Sequence, residues 1–286
     1  MSSPAELLVI ARRIALEAGE LIVRLRSEGV EIAASKSSAE DVVTFADRQC
    51  EEFIRGRLRE LRPEDGFFGE EGGADTGTSG LTWVVDPIDG TVNYLYGIPQ
   101  YAVSIAAVQG APNPATWTAL AGAVINPANG DLYTAARGSG AFLEVGCLDH
   151  GSEGSKDSQA RRLSINPVTE LSLALVGTGF AYSSQLRSQQ AQVLTRLLPA
   201  VRDIRRAGAA SLDLCAVAAG QLDAYYERDT KPWDHAAGAL IAREAGAHVG
   251  GVNGEREGQE YVIAAHPARF AELEKVLTEE HLATSN

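Results

Sequence analysis

Cysteine is scarce in this sequence, and the three that occur, Cys50, Cys147 and Cys215, lie far apart with no Cys-x-x-Cys pair. An odd number of scattered cysteines excludes a disulfide framework and a thiolate zinc site. It fits a reducing compartment, so we expect a cytoplasmic protein. No run approaches the roughly 18 consecutive apolar residues that a membrane span needs, so we expect no membrane association. The N-terminus has no basic stretch followed by an apolar one, which predicts that no signal peptide is present.

Basic residues are also few, because 25 lysines and arginines stand against 38 aspartates and glutamates, a formal net charge of −13 over 286 residues. Proteins that bind nucleic acid neutralise its phosphates with lysine and arginine, so this balance argues against such a partner. It favours a soluble protein or one that gathers metal cations. Hydrophobic residues make up 45% of the chain, close to the globular average, which excludes global disorder.

Helix and strand signals alternate along the chain, which predicts a mixed α/β protein with layers of helix and sheet. The first helix is expected to be capped by Ser3, with Pro4 at its first position and Glu6 completing a capping box. Further helices are predicted at 44–62, 189–198, 211–220 with Ser211 as cap, 234–245 opened by Asp234, and from Pro267 onward. Strands are predicted at 81–85, 101–108, 119–124, 131–136, 175–180, 203–206, 222–227 and 261–265.

The segment 144–162 stands apart in composition, because glycine, serine and charged residues dominate it. Such a shift predicts a surface excursion and a domain junction near 140–165. We therefore expect an N-terminal α+β part at 1–143 and a C-terminal α/β part at 144–286.

The densest polar feature, Asp86-Pro-Ile-Asp-Gly-Thr-Val-Asn93, follows the apolar strand at 83–85. Pro87 restricts the backbone, so the carboxylates of Asp86 and Asp89 can be held toward one point. Carboxylates, waters and substrate phosphate are the usual ligands of Mg²⁺. Gly90 permits close approach of the backbone, and a helical turn after it would offer free N–H groups to an anion. The alternative for Asp-x-x-Asp alone is an Asp-Pro turn followed by an Asx turn.

Three further acidic positions have both a structural and a functional interpretation. Glu70 follows the apolar pair at 67–68 and is either a metal ligand or part of a solvated loop. Asp234 is either a helix N-cap or a carboxylate that a helix start presents to a metal. Asp47 either caps a helix near its third position or orients a hydroxyl or a metal-bound water. His235 is interpreted as a packing or surface residue, because oxygen-only sites suit Mg²⁺.

As an ordered set, these segments resemble the inositol monophosphatase family. The match consists of six motifs in the family's order and spacing, which together span residues 36 to 246: Lys36-Ser-Ser38, Thr44-x-x-Asp47, Gly69-Glu-Glu71, Asp86 to Asn93, Asp223-Ala-Tyr-Tyr-Glu227 and Trp233 to Gly238.

The resemblance implies a layered αβαβα sandwich of the inositol monophosphatase and sugar phosphatase type. It also implies hydrolysis of phosphomonoesters, most of all myo-inositol 1-phosphate, with two or three Mg²⁺ ions per site. The implied metal ligands are Glu70, Asp86, the carbonyl of Ile88, Asp89 and Asp234. Glu70, Thr91 and Asp47 would prepare the attacking water. Substrate contacts would come from Asp89, Gly90, Thr91, Gly208, Ala209, Ala210, Glu227 and Asp234.

Several expectations remain open at this stage. Ala209 offers no hydroxyl where the family often has threonine or serine, so polyol discrimination is in question. Glu227 either accepts a hydrogen bond from a polyol hydroxyl of the substrate or forms a structural ion pair with Arg228, Lys231 or another base. Histidinol phosphate and fructose 1,6-bisphosphate are competing substrates. A regulatory protein that keeps the fold without turnover is the alternative of another class. The resemblance further implies a homodimer.

Overall fold

The computed structural model describes residues 2–30, 32–35, 42–148, 160–167 and 170–279. Lys36-Ser-Ser38 and most of the polar segment 144–162 lie outside the described residues. Within these ranges the helices are α1 (Pro4–Glu28), α2 (Phe45–Leu61), α3 (Thr91–Tyr96), α4 (Ser184–Ala200), α5 (Ala210–Ala218), α6 (Pro232–Glu244) and α7 (Phe270–Thr278). No helix among the described residues combines the length and the apolar character that crossing a membrane would need.

The strands form one large sheet, one smaller sheet and a hairpin. The hairpin pairs β1 (Ile32–Ser35) with β2 (Val42–Thr44). The eight-stranded sheet has the order β10-β9-β8-β7-β6-β5-β3-β4. Its strands are β3 (Gly66–Gly69), β4 (Gly73–Asp75), β5 (Leu81–Asp89), β6 (Ala102–Gln109), β7 (Thr118–Asn126), β8 (Asp131–Ala136), β9 (Gly140–Glu144) and β10 (Arg161–Arg162).

The second sheet has five strands in the order β12-β11-β13-β15-β14. They are β11 (Leu175–Thr178), β12 (Asp203–Arg205), β13 (Ala224–Glu227), β14 (His248–Gly250) and β15 (Val262–Ala265). Because β10 pairs with β9, the first sheet draws on residues beyond 144. The division of the chain into 1–143 and 144–286 stays a prediction.

The hydrophobic clusters show how helices and sheets are layered. Helices α1 and α2 cover one face of the large sheet, and α5 and α6 fill the space between its other face and the second sheet. Helices α4 and α7 cover the outer face of the second sheet. Strand β5 follows this order, because Trp83 and Val85 contact the outer helix layer while Val84 faces α5 and α6. The predicted αβαβα sandwich is therefore confirmed.

Helix starts that depend on a local capping box were predicted correctly. Ser3 caps α1, with reciprocal hydrogen bonds between Ser3 and Glu6. Thr44 caps α2, and Asp47 stands at the third helical position, as expected.

Four other predicted helix starts were wrong. The helix predicted at 189–198 begins at Ser184, because Ser183 caps it by accepting from Leu186 N–H. Helix α6 begins at Pro232, because proline suits the first helical position, and Asp234 is therefore its third residue instead of its N-cap. Helix α5 is preceded by Ala209, since the hydroxyl of Ser211 donates to Asp89 instead of capping its own helix. The last helix begins at Phe270, because Pro267 lies in a turn whose amides bond to His266.

Candidate active site

A cavity of about 630 Å³ is lined by residues of the eight-stranded and the five-stranded sheet and by the first residues of α3, α5 and α6. All but two of the sequence-predicted site residues line it: Glu70, Asp86, Ile88, Asp89, Gly90, Thr91, Gly208, Ala210, Glu227 and Asp234. Asp47 and Ala209 are absent from the lining. Residues that are far apart in the sequence are thus gathered around one space by the arrangement of the two sheets.

We call the acidic part of the cavity, formed by Glu70, Asp86, Asp89 and Asp234, the cavity floor. Two of these carboxylates, Asp86 and Asp89, come from strand β5. In a regular strand, residues three apart point to opposite faces. The pairing of β5 with β6 shifts register between Asp86 and Asp89, and such an irregularity bends the strand and redirects side chains. Both carboxylates therefore reach the same cavity.

Glu70 reaches the floor from the neighbouring strand. Strand β3 runs parallel to β5 with Gly69 beside Val85, so the next residue, Glu70, follows beside Asp86. Its loop is held by the buried Glu51 of α2, whose carboxylate accepts hydrogen bonds from the backbone N–H groups of Glu71 and Gly72, both at 2.7 Å. Nothing in the local sequence pattern had singled out Glu51.

The floor carries an excess of negative charge. Burial raises the pKa of Asp86 well above its ordinary value, and the neighbouring Glu70, Asp89 and Asp234 raise it further. Burial and the charges of Asp89 and Glu70 likewise raise the pKa of Asp234. Burial raises the pKa of Asp89 to about 6, although hydrogen bonds from Ser211 and Ala210 favour its ionised form. Crowded, buried carboxylates of this kind are stabilised in the ionised state by a bound cation.

The donors of the floor fit a hard divalent cation by their chemistry, because they are carboxylate oxygens and the carbonyl of Ile88. Among the described residues, however, no three acidic, histidine or cysteine side chains already form a cage for one ion. One reason is that backbone groups hold the carboxylates: Ile88 N–H donates to Asp86 at 3.0 Å, Ser211 N–H to Asp89 at 2.7 Å and Lys231 N–H to Asp234 at 2.6 Å. These hydrogen bonds orient the carboxylates and still leave acceptor sites on each of them for a cation.

A hydroxyl–carboxylate pair borders the floor. The Thr91 hydroxyl lies 3.0 Å from Asp47 Oδ1 and 3.1 Å from the Ile88 carbonyl, either of which can accept its proton. Asp47 is buried behind Thr91 and also accepts hydrogen bonds from the backbone and hydroxyl of Thr44. Burial raises the pKa of Asp47 to about 7, against the lowering effect of the Thr44 bonds. The capping and functional interpretations of Asp47 are therefore compatible.

Gly90 is required by the backbone path at the start of α3. Its φ of 89° is in the left-handed region, and a Cβ there would lie 3.0 Å from the Gln100 carbonyl and 3.1 Å from that of Gly208. The loop at 208–210 consequently closes onto Gly90. Ala209 is turned into the core in this arrangement, whereas Gly208 and Ala210 line the cavity.

Glu227 forms a wall of the cavity at the end of β13. The Tyr225 hydroxyl donates to its Oε2 at 2.7 Å. Burial raises the pKa of Glu227 to about 7, and the bond from Tyr225 opposes that increase. Among the described residues Glu227 is in no ion pair: Lys231 pairs with Asp229 at 3.1 Å, and Arg228 lies over the Tyr261 ring. The structural ion pair considered above is therefore not formed, although the charge of Arg206 still lowers the pKa of Glu227.

Other cavity residues were missed by the sequence reasoning. Arg187 and Arg206 line the outer part, and neither belongs to a recognisable motif. Arg187 is held by the carbonyls of Ala181 and Tyr182, at 3.1 and 2.7 Å. His235 is fully buried and packs near Trp117, which agrees with its predicted packing role.

The comparisons with known proteins agree with the geometry. A sequence profile of the inositol monophosphatase family matches residues 3–285. The "Inositol-1-monophosphatase SuhB" of Mycobacterium tuberculosis H37Rv is 47% identical over 263 residues, covering 87% of this chain and 84% of that protein. The "Nus factor SuhB" of Pseudomonas aeruginosa is 38% identical over 280 residues, covering 93% and 94%. The solved structure of Mycobacterium tuberculosis SuhB, 44% identical, covers 97% of both chains with a TM-score of 0.78. The chain therefore belongs to the inositol monophosphatase family.

Proposed function

We propose that this chain is a Mg²⁺-dependent phosphomonoester hydrolase that acts on a polyol phosphate, with myo-inositol 1-phosphate as the first candidate. The observation that carries the proposal is a group of four carboxylates around one cavity, of which Asp86 and Asp89 are buried and Glu70 and Asp234 are half-buried. A divalent cation would relieve their mutual repulsion. Members of this family are generally Mg²⁺-dependent.

In this proposal the residues of the floor hold the metal, with Glu70, Asp86, Asp89, Asp234 and the Ile88 carbonyl as ligands. Bound Mg²⁺ supplies positive charge for the phosphoryl oxygens and lowers the pKa of a bound water. Thr91 and Asp47 would orient the attacking water, since a hydrogen bond from the Thr91 hydroxyl to Asp47 or to the Ile88 carbonyl leaves the hydroxyl oxygen free to accept from that water. Water activation by a positioned group of this kind contributes roughly 10²–10⁴ in rate.

The wall of the cavity supports the assignment to a polyol. Among the described residues Glu227 is in no ion pair, although the charge of Arg206 acts on it, and one of its oxygens is bonded to Tyr225. Glu227 is half-buried, and a desolvated carboxylate without full pairing is costly, so a substrate hydroxyl would supply the missing donor. Gly208 and Ala210 leave room beside it, and a cavity of about 630 Å³ accommodates a phosphorylated six-carbon ring.

A bisphosphate is the second candidate substrate. Arg187 and Arg206 stand at the outer part of the cavity, where a second phosphate of fructose 1,6-bisphosphate would meet positive charge. Histidinol phosphate, the other competing substrate, would bring a cation toward these arginines and is therefore disfavoured.

The alternative of another class is a non-catalytic regulatory protein, a possibility that the name "Nus factor" of the Pseudomonas aeruginosa relative keeps open. The complete set of acidic residues and the Thr91–Asp47 pair favour catalysis over that role. The net charge of −13 offers no footprint for RNA. We further propose a cytoplasmic homodimer, and sedimentation of the purified chain would test its oligomeric state.

The decisive experiment measures phosphate release by the purified chain with and without Mg²⁺. The panel contains myo-inositol 1-phosphate, fructose 1,6-bisphosphate, histidinol phosphate and p-nitrophenyl phosphate. The proposal expects Mg²⁺-dependent release with the highest kcat/KM on the inositol ester, and loss of release in Asp86→Asn. Absence of release from every ester at millimolar Mg²⁺ would instead favour the regulatory role.

A further inference from the structure

Two glycines at the end of β11 face the strand that carries Glu227. Strands β11 and β13 run parallel with Gly177 beside Tyr225 and Thr178 beside Tyr226. A Cβ on Gly177 would lie 3.3 Å from the Tyr225 ring, and a Cβ on Gly179 would lie 2.0 Å from Glu227 Oε2. The Gly-x-Gly sequence of this strand end therefore provides room for a tyrosine and a carboxylate.

Tyr225 and Glu227 are two residues apart on β13, so both side chains leave the same face of the strand. The Tyr225 ring is completely buried, which holds its hydroxyl in place. That hydroxyl donates to Glu227 Oε2 at 2.7 Å. One carboxylate oxygen is thus fixed from the protein side, while Glu227 still lines the cavity.

We propose that Tyr225 and Gly179 are positioning residues that set the orientation of Glu227 toward the substrate hydroxyl. The inference rests on the proposed function, because it assigns Glu227 to substrate recognition. The Tyr225 hydroxyl donates a hydrogen bond to Oε2, so Oε1 keeps its acceptor sites for a hydrogen bond from the ligand. Gly179 lets the carboxylate lie flat against the backbone, where any side chain would displace it.

The chemistry restricts the substrate class as well. Above about pH 7, where Glu227 is ionised, its carboxylate only accepts hydrogen bonds, so the substrate group that it binds must be a donor. A hydroxyl of a polyol or sugar ring satisfies this requirement, whereas an ether or carbonyl oxygen at the same place would meet a second acceptor. The positioned Glu227 therefore selects phosphomonoesters that carry a free hydroxyl beside the ester.

The first test compares Tyr225→Phe with Tyr226→Phe. The control is matched, because Tyr226 is the next residue of the strand, is buried, and bonds to Thr178 on the other face. For Tyr225→Phe we expect KM for myo-inositol 1-phosphate to rise about tenfold, as for loss of a hydrogen bond to a charged group, with kcat changing less. The loss of kcat/KM should be at least about fivefold larger on this ester than on p-nitrophenyl phosphate, which has no hydroxyl to read. Tyr226→Phe should leave both substrates as in wild type.

The second test uses Gly179→Ala and a double-mutant cycle. The added methyl meets the end of the Glu227 side chain, so we expect the protein to fold with Glu227 displaced and to show the same KM defect. Should this variant prove unstable, Tyr225→Phe in the Glu227→Gln background decides, because a residue that acts only through Glu227 has little further effect there.

Three outcomes overturn the positioning role: equal losses on both substrates, additive effects in the cycle, or an unchanged KM for myo-inositol 1-phosphate in Tyr225→Phe. A wild-type protein that releases no phosphate even from p-nitrophenyl phosphate with Mg²⁺ contradicts the proposed function itself. If wild type turns over the aryl ester and Tyr225→Phe has an unchanged KM for myo-inositol 1-phosphate, only the positioning role is contradicted.

Discussion

Replacement of Glu227 by glutamine should stabilise the metal-free protein, and by an amount that depends on pH. Burial raises the pKa of this carboxyl from an ordinary 4.5 to about 7. Tyr225 and Arg206 oppose the increase, whereas Asp89 and Asp229 add to it. Between pH 4.5 and about 7 the folded protein therefore keeps a proton on Glu227 that the unfolded chain has lost.

The sign follows from proton linkage. Between pH 4.5 and about 7 the unfolded state binds fewer protons than the folded state at this site, so the free energy of unfolding falls as pH rises. Above that range the penalty is constant. At 1.36 kcal/mol per pKa unit, the penalty is about 3 kcal/mol at pH 8 and below about 1 kcal/mol at pH 5.

Glutamine stands in for the protonated acid, because it has the same shape and its amide oxygen can still accept from Tyr225. Glu227→Gln should therefore gain about 3 kcal/mol in unfolding free energy over wild type at pH 8, and little at pH 5. Urea denaturation in the presence of a chelator measures both values. Asp47 also titrates in this range, but it is common to both proteins and largely cancels in the difference. Asp89 interacts with the charge of Glu227, so its own titration shifts when that charge is removed and forms part of the measured gain.

The control is Glu20→Gln, which removes one negative charge from an exposed position on α1. It should change stability by no more than a few tenths of a kcal/mol at either pH. A gain in Glu227→Gln that is the same at pH 5 and pH 8 would refute the reasoning, because it would not come from ionisation. A loss of stability at pH 8 would show that the ionised carboxylate is well paired in the fold.

Three other predictions concern the cavity floor and its neighbours. Asp86→Asn should abolish phosphate release and raise the melting temperature in chelator, because a repelled carboxylate is removed; wild-type turnover at saturating Mg²⁺ would contradict its role as a ligand. Thr91→Ala should lower kcat at least about 100-fold while calorimetry still detects Mg²⁺ binding, and a joint collapse of both would mean that Thr91 is structural or a ligand. Asp47→Asn should also lower kcat, and because burial raises the pKa of Asp47 to about 7, the linkage used for Glu227→Gln predicts that this variant is at least as stable as wild type at pH 8. Urea denaturation in chelator measures the second effect, and a clear loss of stability at pH 8 would show that ionised Asp47 is well paired.

Local features of the fold were predictable wherever the interacting groups are close in sequence. The capping boxes of α1 and α2 join residues three apart in the sequence. The pairs Ser3–Glu6 and Thr44–Asp47 can therefore be recognised from the sequence alone. The start of α6 was misplaced because an acidic residue at the third helical position and one at the N-cap look alike locally. There the proline at 232 was the better signal.

The candidate site divides in the same way. Its acidic members could be named from the sequence, since Asp86, Asp89 and Asp234 lie in short motifs that end or begin regular elements. Their raised pKa values could not be predicted from the sequence, because a pKa depends on burial and on charges brought from distant strands and helices. The register shift in β5 that directs two carboxylates to one cavity is likewise a property of strand pairing.

By itself, the sequence determined the layered architecture and the identity of the acidic residues, because periodicity, caps and motifs are encoded by neighbours along the chain. Only the tertiary structure decided which groups touch. In the folded protein Gly179 lies against Glu227, and the Ser211 hydroxyl donates a hydrogen bond to Asp89. Ala209 is buried in the core, and Arg206 lines the cavity. These contacts depend on how parallel strands from distant segments align and on how side chains fill the space between two sheets, and neither is written in a local pattern.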